Sequence, residues 1–153
     1  MSYTTYTEDF IKELYSYLNI LLLHQLGFHK IAELLGIQVF YWQDKSQALF
    51  IKEHSYLFLN EQLTKQQLWQ DFCHELGHVL LHTGHQGHMS PLFREYQENK
   101  ANNFMYHACV PTFMLDEIEP RNLTVEYVQQ QFNVEYELAF KRIEQYFSKK
   151  NPF

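Results

Sequence analysis

The stretch Phe72-Cys73-His74-Glu75-Leu76-Gly77-His78-Val79-Leu80-Leu81-His82 leaves the chain few ways to fold. Apolar residues at Leu68, Trp69, Phe72, Leu76, Val79 and Leu80 predict a helix buried on most of its surface. On such a helix His74 and His78 lie on one face, about 6 Å apart along the axis, where one metal ion can be held by both. Glu75 points roughly 100° away, so it can touch a water on that metal without binding the ion. Thr64-Lys65-Gln66-Gln67 has the form of a capping box and sets the start, giving a helix over residues 64–82. Gly77 costs about 1 kcal/mol relative to Ala inside a helix, a cost that a closely approaching backbone would explain. The plainer reading of the motif is a core helix whose histidines are satisfied by ordinary packing.

A third ligand decides between the two. One arrangement needs a His six residues beyond His78 and a Gly three beyond it; those places hold Gly84 and Leu81, which excludes it. His82, His85 and His88 fall in a loop by composition, where solvated histidines are the default. Residues 94–110 read as a further helix ended by Pro111, and Glu98 follows His78 by twenty residues. A carboxylate from a second helix completes a two-His, one-Glu zinc site and leaves a tetrahedral position for water, as hydrolytic sites require. Glu98 is therefore the expected third ligand, with Asn102 on its face one turn later. Glu95 is the fallback. Both acids also suit a first helical turn for dipole reasons alone.

The rest of the chain supplies the packing. Thr7 can cap a helix carrying Phe10, Ile11, Leu14, Tyr15, Leu18, Leu21 and Leu22, and Phe28 to Leu35 reads as a second helix stopped at Gly36. From Ile37 the period becomes two: Ile37, Val39 and Tyr41, a turn at Asp44-Lys45-Ser46, then Ala48 to Ile51, predict a hairpin, with Ser55 to Asn60 as a third strand. An exposed edge of that sheet would suit an extended peptide. The expected architecture is an α+β, mostly helical single domain over residues 1–153, with a small three-stranded antiparallel sheet before the His-Glu-x-x-His helix. Its parts are N-terminal helices over 1–36, the sheet over 37–60, the helices over 64–82 and 94–110, and C-terminal helices over 112–148. The last group starts with a short helix from Thr112 to Glu119, then a helix capped by Asn122 or Thr124 and running to Phe132, and one carrying Leu138, Ala139, Ile143 and Phe147.

Charge narrows the partners. The net charge of −6 opposes broad contact with phosphate backbones. The two final helices look superficially like a DNA-reading pair, yet Leu123 to Glu144 carries four acids against Lys141 and Arg142, which argues against it. Repressor docking or packing suits them better, and a protein or peptide partner is expected. Cys73 and Cys109 are too few for a disulfide framework and read as free thiols in a reducing compartment. The first residues do not form a signal peptide, and Leu18 to Leu26 is too short and polar to span a membrane, so a cytoplasmic location is expected.

Taken together, Leu59-Asn60, the stretch from Phe72 to His82, Glu98-x-x-Ala101-Asn102-x-Phe104 and Pro111 resemble the ImmA/IrrE-type metallopeptidases, which are gluzincins with a zincin-like fold. The resemblance implies an intracellular zinc endopeptidase, of a kind often carried by prophages or integrative elements, that cleaves a helix-turn-helix repressor. It implies His74, His78 and Glu98 as zinc ligands, Glu75 as the catalytic acid–base, and Asn102 as a hydrogen-bond partner behind the ligands. Lys100 stands where family members often have a second Glu, and Met105, Ala108 and Cys109 where small residues or leucines are usual; these departures bear on substrate preference.

For such a reaction each ligating imidazole needs a partner on its far nitrogen, and Asn102 and Asp71 are nearest by sequence. A donor for the developing oxyanion is expected from Tyr96, Tyr106, His107 or His82. Two rivals remain: a regulatory protein of the same fold that sequesters a repressor without cutting it, and a zinc-stabilised structural module.

Overall fold

Thr5, rather than Thr7, opens the first helix: its side chain accepts from the Glu8 amide while the Glu8 carboxylate accepts from the Thr5 amide. The computed structural model describes residues 5–81 and 90–150. Helix α1 (Tyr6–Tyr17) stops short of Leu22. Asn19 adopts a left-handed conformation (φ 59°), and the Ile20 amide returns to the Tyr15 carbonyl at 2.7 Å, a Schellman closure that turns the chain away. Leu21 and Leu22 are consequently exposed. Helix α2 (Phe28–Leu35) ends at left-handed Gly36, φ 69°.

The sheet is mixed, not antiparallel. Strands β1 (Gln38–Trp42), β2 (Gln47–Ile51) and β3 (His54–Asn60) lie in the order β1-β3-β2, with β1 parallel and β2 antiparallel to the central β3. The hairpin therefore joins β2 to β3, through Lys52 and Glu53 at φ 49° and 68°, the paired left-handed turn that suits twisted strands. Asp44-Lys45-Ser46 is instead a loop pinned to the end of β3. The Asn60 side-chain amide donates to the Asp44 carbonyl at 3.0 Å, and the Asn60 backbone amide donates to Ser46 Oγ at 3.0 Å. Aromatic pairing favours the parallel register: Phe40 lies opposite Phe58, their rings stacked at 5.3 Å, and Trp42 adds a 4.7 Å contact to Phe58.

Helix α3 (Lys65–Leu80) packs on β2 and β3 and buries Trp69, Phe72, Leu76 and Val79, while Leu57 and Leu59 on β3 are wholly buried. Its start is the expected capping box, with Thr64 accepting from the Gln67 amide at 3.2 Å and Gln67 accepting from the Thr64 amide at 3.1 Å. Thr64→Ala is expected to cost about 1 kcal/mol of stability, read as a lower urea midpoint with an unchanged m-value.

Helix α4 (Pro91–Cys109) starts before Arg94 and gives way at Pro111. Helix α5 (Thr112–Leu115) is shorter than the expected span to Glu119. Thr124 caps α6 (Val125–Phe132), left-handed Asn133 closes it, and α7 (Tyr136–Lys150) follows. The mostly helical α+β character matches the sequence reading. The chain forms two compact units, one of Gly27–Met105 and the other of Met1–Leu26 with Tyr106–Phe153. No helix among the described residues is long and apolar enough to cross a membrane.

A buried polar chain organises the second of these units. Arg142, 1% exposed, donates from Nε to the Val110 carbonyl at 2.9 Å and from a terminal nitrogen to Thr112 Oγ1 at 2.7 Å. The Thr112 hydroxyl in turn donates to Glu8, the residue that closes the α1 cap. Burial pushes the guanidinium down to about 10, against the support of Glu8, Tyr146 and Asp116. Tyr15 OH adds a bond to the Ala108 carbonyl at 2.7 Å.

Candidate metal centre

The helical period places His74 and His78 side by side on α3, ring centroids 4.9 Å apart. The Glu98 carboxylate from α4 spans both: one oxygen lies 2.9 Å from His74 Nε2, the other 3.0 Å from His78 Nε2. One ligand atom from each residue lies within 4.8 Å of the other two. Among the described residues this is the cluster of histidine and acid that could hold an ion, and Glu95, exposed on α4, is outside it. Two imidazole nitrogens and a carboxylate oxygen are the donor set that zinc accepts in hydrolytic sites. Burial holds His78 below its usual pKa, against the raising effect of Glu98, and so favours the neutral imidazole that a metal requires.

Glu75 stands beside the cluster. It is 9% exposed; Oε1 accepts from the Ala48 amide of β2 at 3.0 Å, and Oε2 lies 3.9 Å from His74 Nε2. Burial pushes its carboxyl up to about 8; the Ala48 amide opposes the rise, the charges of Glu98 and Asp71 add to it, and Lys45 counters it. In metal-free protein this carboxyl binds its proton more tightly folded than unfolded, so its contribution to stability is complete below pH 4.5 and is lost as the pH rises towards about 8. His78 has the opposite sign: its folded pKa is depressed, so its contribution is present above 6.5 and lost as the pH falls. Between pH 6.5 and 8 Glu75 acts alone of the two. In chelator, stability is expected to fall there by up to about 1.4 kcal/mol per pH unit, and Glu75→Gln to abolish the slope; urea midpoints at the two pH values measure both.

The family model Peptidase_M78, the IrrE N-terminal-like domain, matches residues 32–144. The chain belongs to the IrrE N-terminal-like family. Similar proteins include the phage-like element PBSX protein XkdA of Bacillus subtilis, 38% identical over 97% of this chain and 76% of that protein. YqaB of the same organism is 32% identical over 97% of this chain and 89% of its own length. Among solved structures, a Mycobacterium tuberculosis transcriptional regulator shares the fold with a TM-score of 0.66 at 14% identity; the match covers 90% of this chain and 46% of that one. The IrrE-like segment thus contains α3, α4 and all three clustered residues.

Asp71 influences the site through its charge on Glu75, and among the described residues neither Asp71 nor Asn102 hydrogen-bonds to His74 or His78. Tyr96 is exposed on α4, its ring stacked on Phe93 at 6.4 Å with the Lys100 ammonium 5.5 Å above it. Tyr106 carries the Lys141 ammonium 5.9 Å over its ring, and His107 is buried; both belong to the unit that holds Arg142. His82, with His85 and His88, lies outside the described residues.

Two contributors have no signature in the sequence reading. The Ala48 amide is main chain and leaves none. Lys45 sits in the loop that Asn60 pins, and its charge acts on Glu75 across 30 residues of sequence.

Proposed function

We propose that this IrrE-like chain is a zinc-dependent endopeptidase whose substrate is a helix-turn-helix repressor of a mobile element. The observation that carries the reading is the meeting of Glu98 with both imidazoles while Glu75, one residue from His74, stays out of the cluster with its carboxylate held by β2. His74, His78 and Glu98 would hold the ion, which when bound would polarise a carbonyl and acidify water. Glu75 takes a proton from the attacking water and returns it to the leaving amine; its buried carboxyl, raised in the metal-free protein, would be drawn back towards its proton-accepting form by the charge of the ion.

An extended peptide suits the neighbouring sheet edge. β2 pairs on one side only, with β3, and the Ala48 amide points to the other side, towards Glu75. Antiparallel alternation turns the main-chain groups of Phe50 to that same side, so a substrate strand laid there passes the acid. The resemblance to a protein of a phage-like element supports the choice of a mobile-element repressor.

The test incubates a purified helix-turn-helix repressor of a phage-like element with zinc and either wild type or Glu75→Gln. Fragments with wild type alone are expected. Loss of operator binding with both proteins and fragments with neither would replace proteolysis by sequestration.

A further inference from the structure

We propose that Gly77 is a positioning residue for the metal centre: its contact with Ala101 and Phe104 sets the separation of α3 and α4, and with it the reach of Glu98 to His74 and His78. The inference rests on the reading of these three residues as metal ligands. A Cβ placed on Gly77 would meet Phe104 Cδ1 at 3.1 Å, Ala101 Cα at 3.3 Å and Phe104 Cβ at 3.3 Å. The two helices therefore touch, main chain to main chain at Ala101 Cα, and a methyl group fits only if Phe104 or α4 gives way by a few tenths of an ångström. Ala101 is fully buried and Phe104 is 2% exposed, so neither can swing into solvent to make space.

The contact lies next to the ligands on both helices. Gly77 adjoins His78 and follows His74 by three residues, and Ala101 follows Glu98 by three, about 4.5 Å along the axis. A helix is stiff over one turn, so α4 displaced at Ala101 carries Glu98 with it. The carboxylate reaches both rings at 2.9 and 3.0 Å, and metal–ligand distances tolerate only about 0.2 Å. A few tenths of an ångström at the crossing are therefore felt at the ion, although rotation of the Glu98 side chain recovers part of the loss.

The sign of the effect separates this role from an idle one. Alanine is the better helix former, so an uncommitted Gly77 would let Gly77→Ala bind metal as wild type does and unfold later. Zinc affinity by competition with a chromophoric chelator, and the visible spectrum of the Co2+-loaded protein, are compared for wild type, Gly77→Ala, Gly77→Ala with Phe104→Ala, and Ala101→Ser, which adds an atom at the buried α4 residue whose Cα meets Gly77. Circular dichroism in chelator reports the fold of each.

Gly77→Ala and Ala101→Ser are each expected to weaken zinc by about tenfold and to shift the cobalt bands. Phe104→Ala, by removing the Cδ1 atom nearest Gly77, is expected to restore part of both. Wild-type zinc affinity and an unchanged cobalt spectrum in Gly77→Ala would overturn the proposal while leaving the metal centre intact. Wild type that binds no zinc would sink the metal-centre reading and this inference together. Loss of the fold in both single variants would make the contact a folding element and reject its positioning role.

Discussion

Glu75→Gln is expected to bind zinc as wild type does and to cleave the repressor about 10²- to 10⁴-fold more slowly, the range for removal of a positioned general base. Glutamine is isosteric, and its side-chain oxygen can still accept from the Ala48 amide that Glu75 Oε1 engages at 3.0 Å. What it lacks is the capacity to take up and release a proton. Because Glu75 is not among the three clustered residues, metal content should be untouched. Glu98→Ala provides the contrast: it removes the carboxylate that faces both imidazoles, so zinc affinity is expected to drop by at least about a hundredfold, more than loss of an outer-shell partner costs. Single-turnover cleavage and chelator competition measure the pair. Cleavage by Glu75→Gln at the wild-type rate would require another base.

The second large effect lies away from that site. Arg142→Ala is expected to destabilise the protein by about 3–5 kcal/mol, the range for breaking a buried ion pair on one side. The change strands the Val110 carbonyl and leaves the buried Glu8 carboxylate, 7% exposed, without the guanidinium that supports it. Pairing Arg142→Met with Glu8→Leu removes both charges, and most of the loss is expected to return. Thermal unfolding reads the single change as a drop of roughly 10 °C. If the double variant were no more stable than Arg142→Ala, the cost would come from packing and not from the stranded charge.

What can be read from a sequence depends on how far apart the determining residues lie. The Thr64–Gln67 capping box, the left-handed stop at Gly36 and the paired histidines on α3 are each written within one or two helical turns, where periodicity and hydrogen-bond chemistry suffice. Glu98 is legible as a carboxylate on the next helix, one turn from Asn102. The sheet was harder: β1 meets β3 across an intervening strand, and the turn that makes the real hairpin is Lys52-Glu53, which lacks the Gly or Asn that marks such turns. Asp44-Lys45-Ser46 carries the Asp and Ser of turn chemistry but serves a pinned loop. Arg142 did leave a trace. It falls three residues after Ala139 and four after Leu138, on the stripe that α7 buries, where a charge demands a partner. Glu8 shares a face with Ile11 and Tyr15 in the same way.

The grip on Glu75 comes from a peptide N–H and not from a side chain. Residue 48 could drift among many amino acids over evolutionary time and the bond would survive, since each of them offers the same hydrogen. Proline alone would abolish it. An alanine scan would pass over this contact without a signal, and comparison of relatives would register it only as one imino acid never being accepted there.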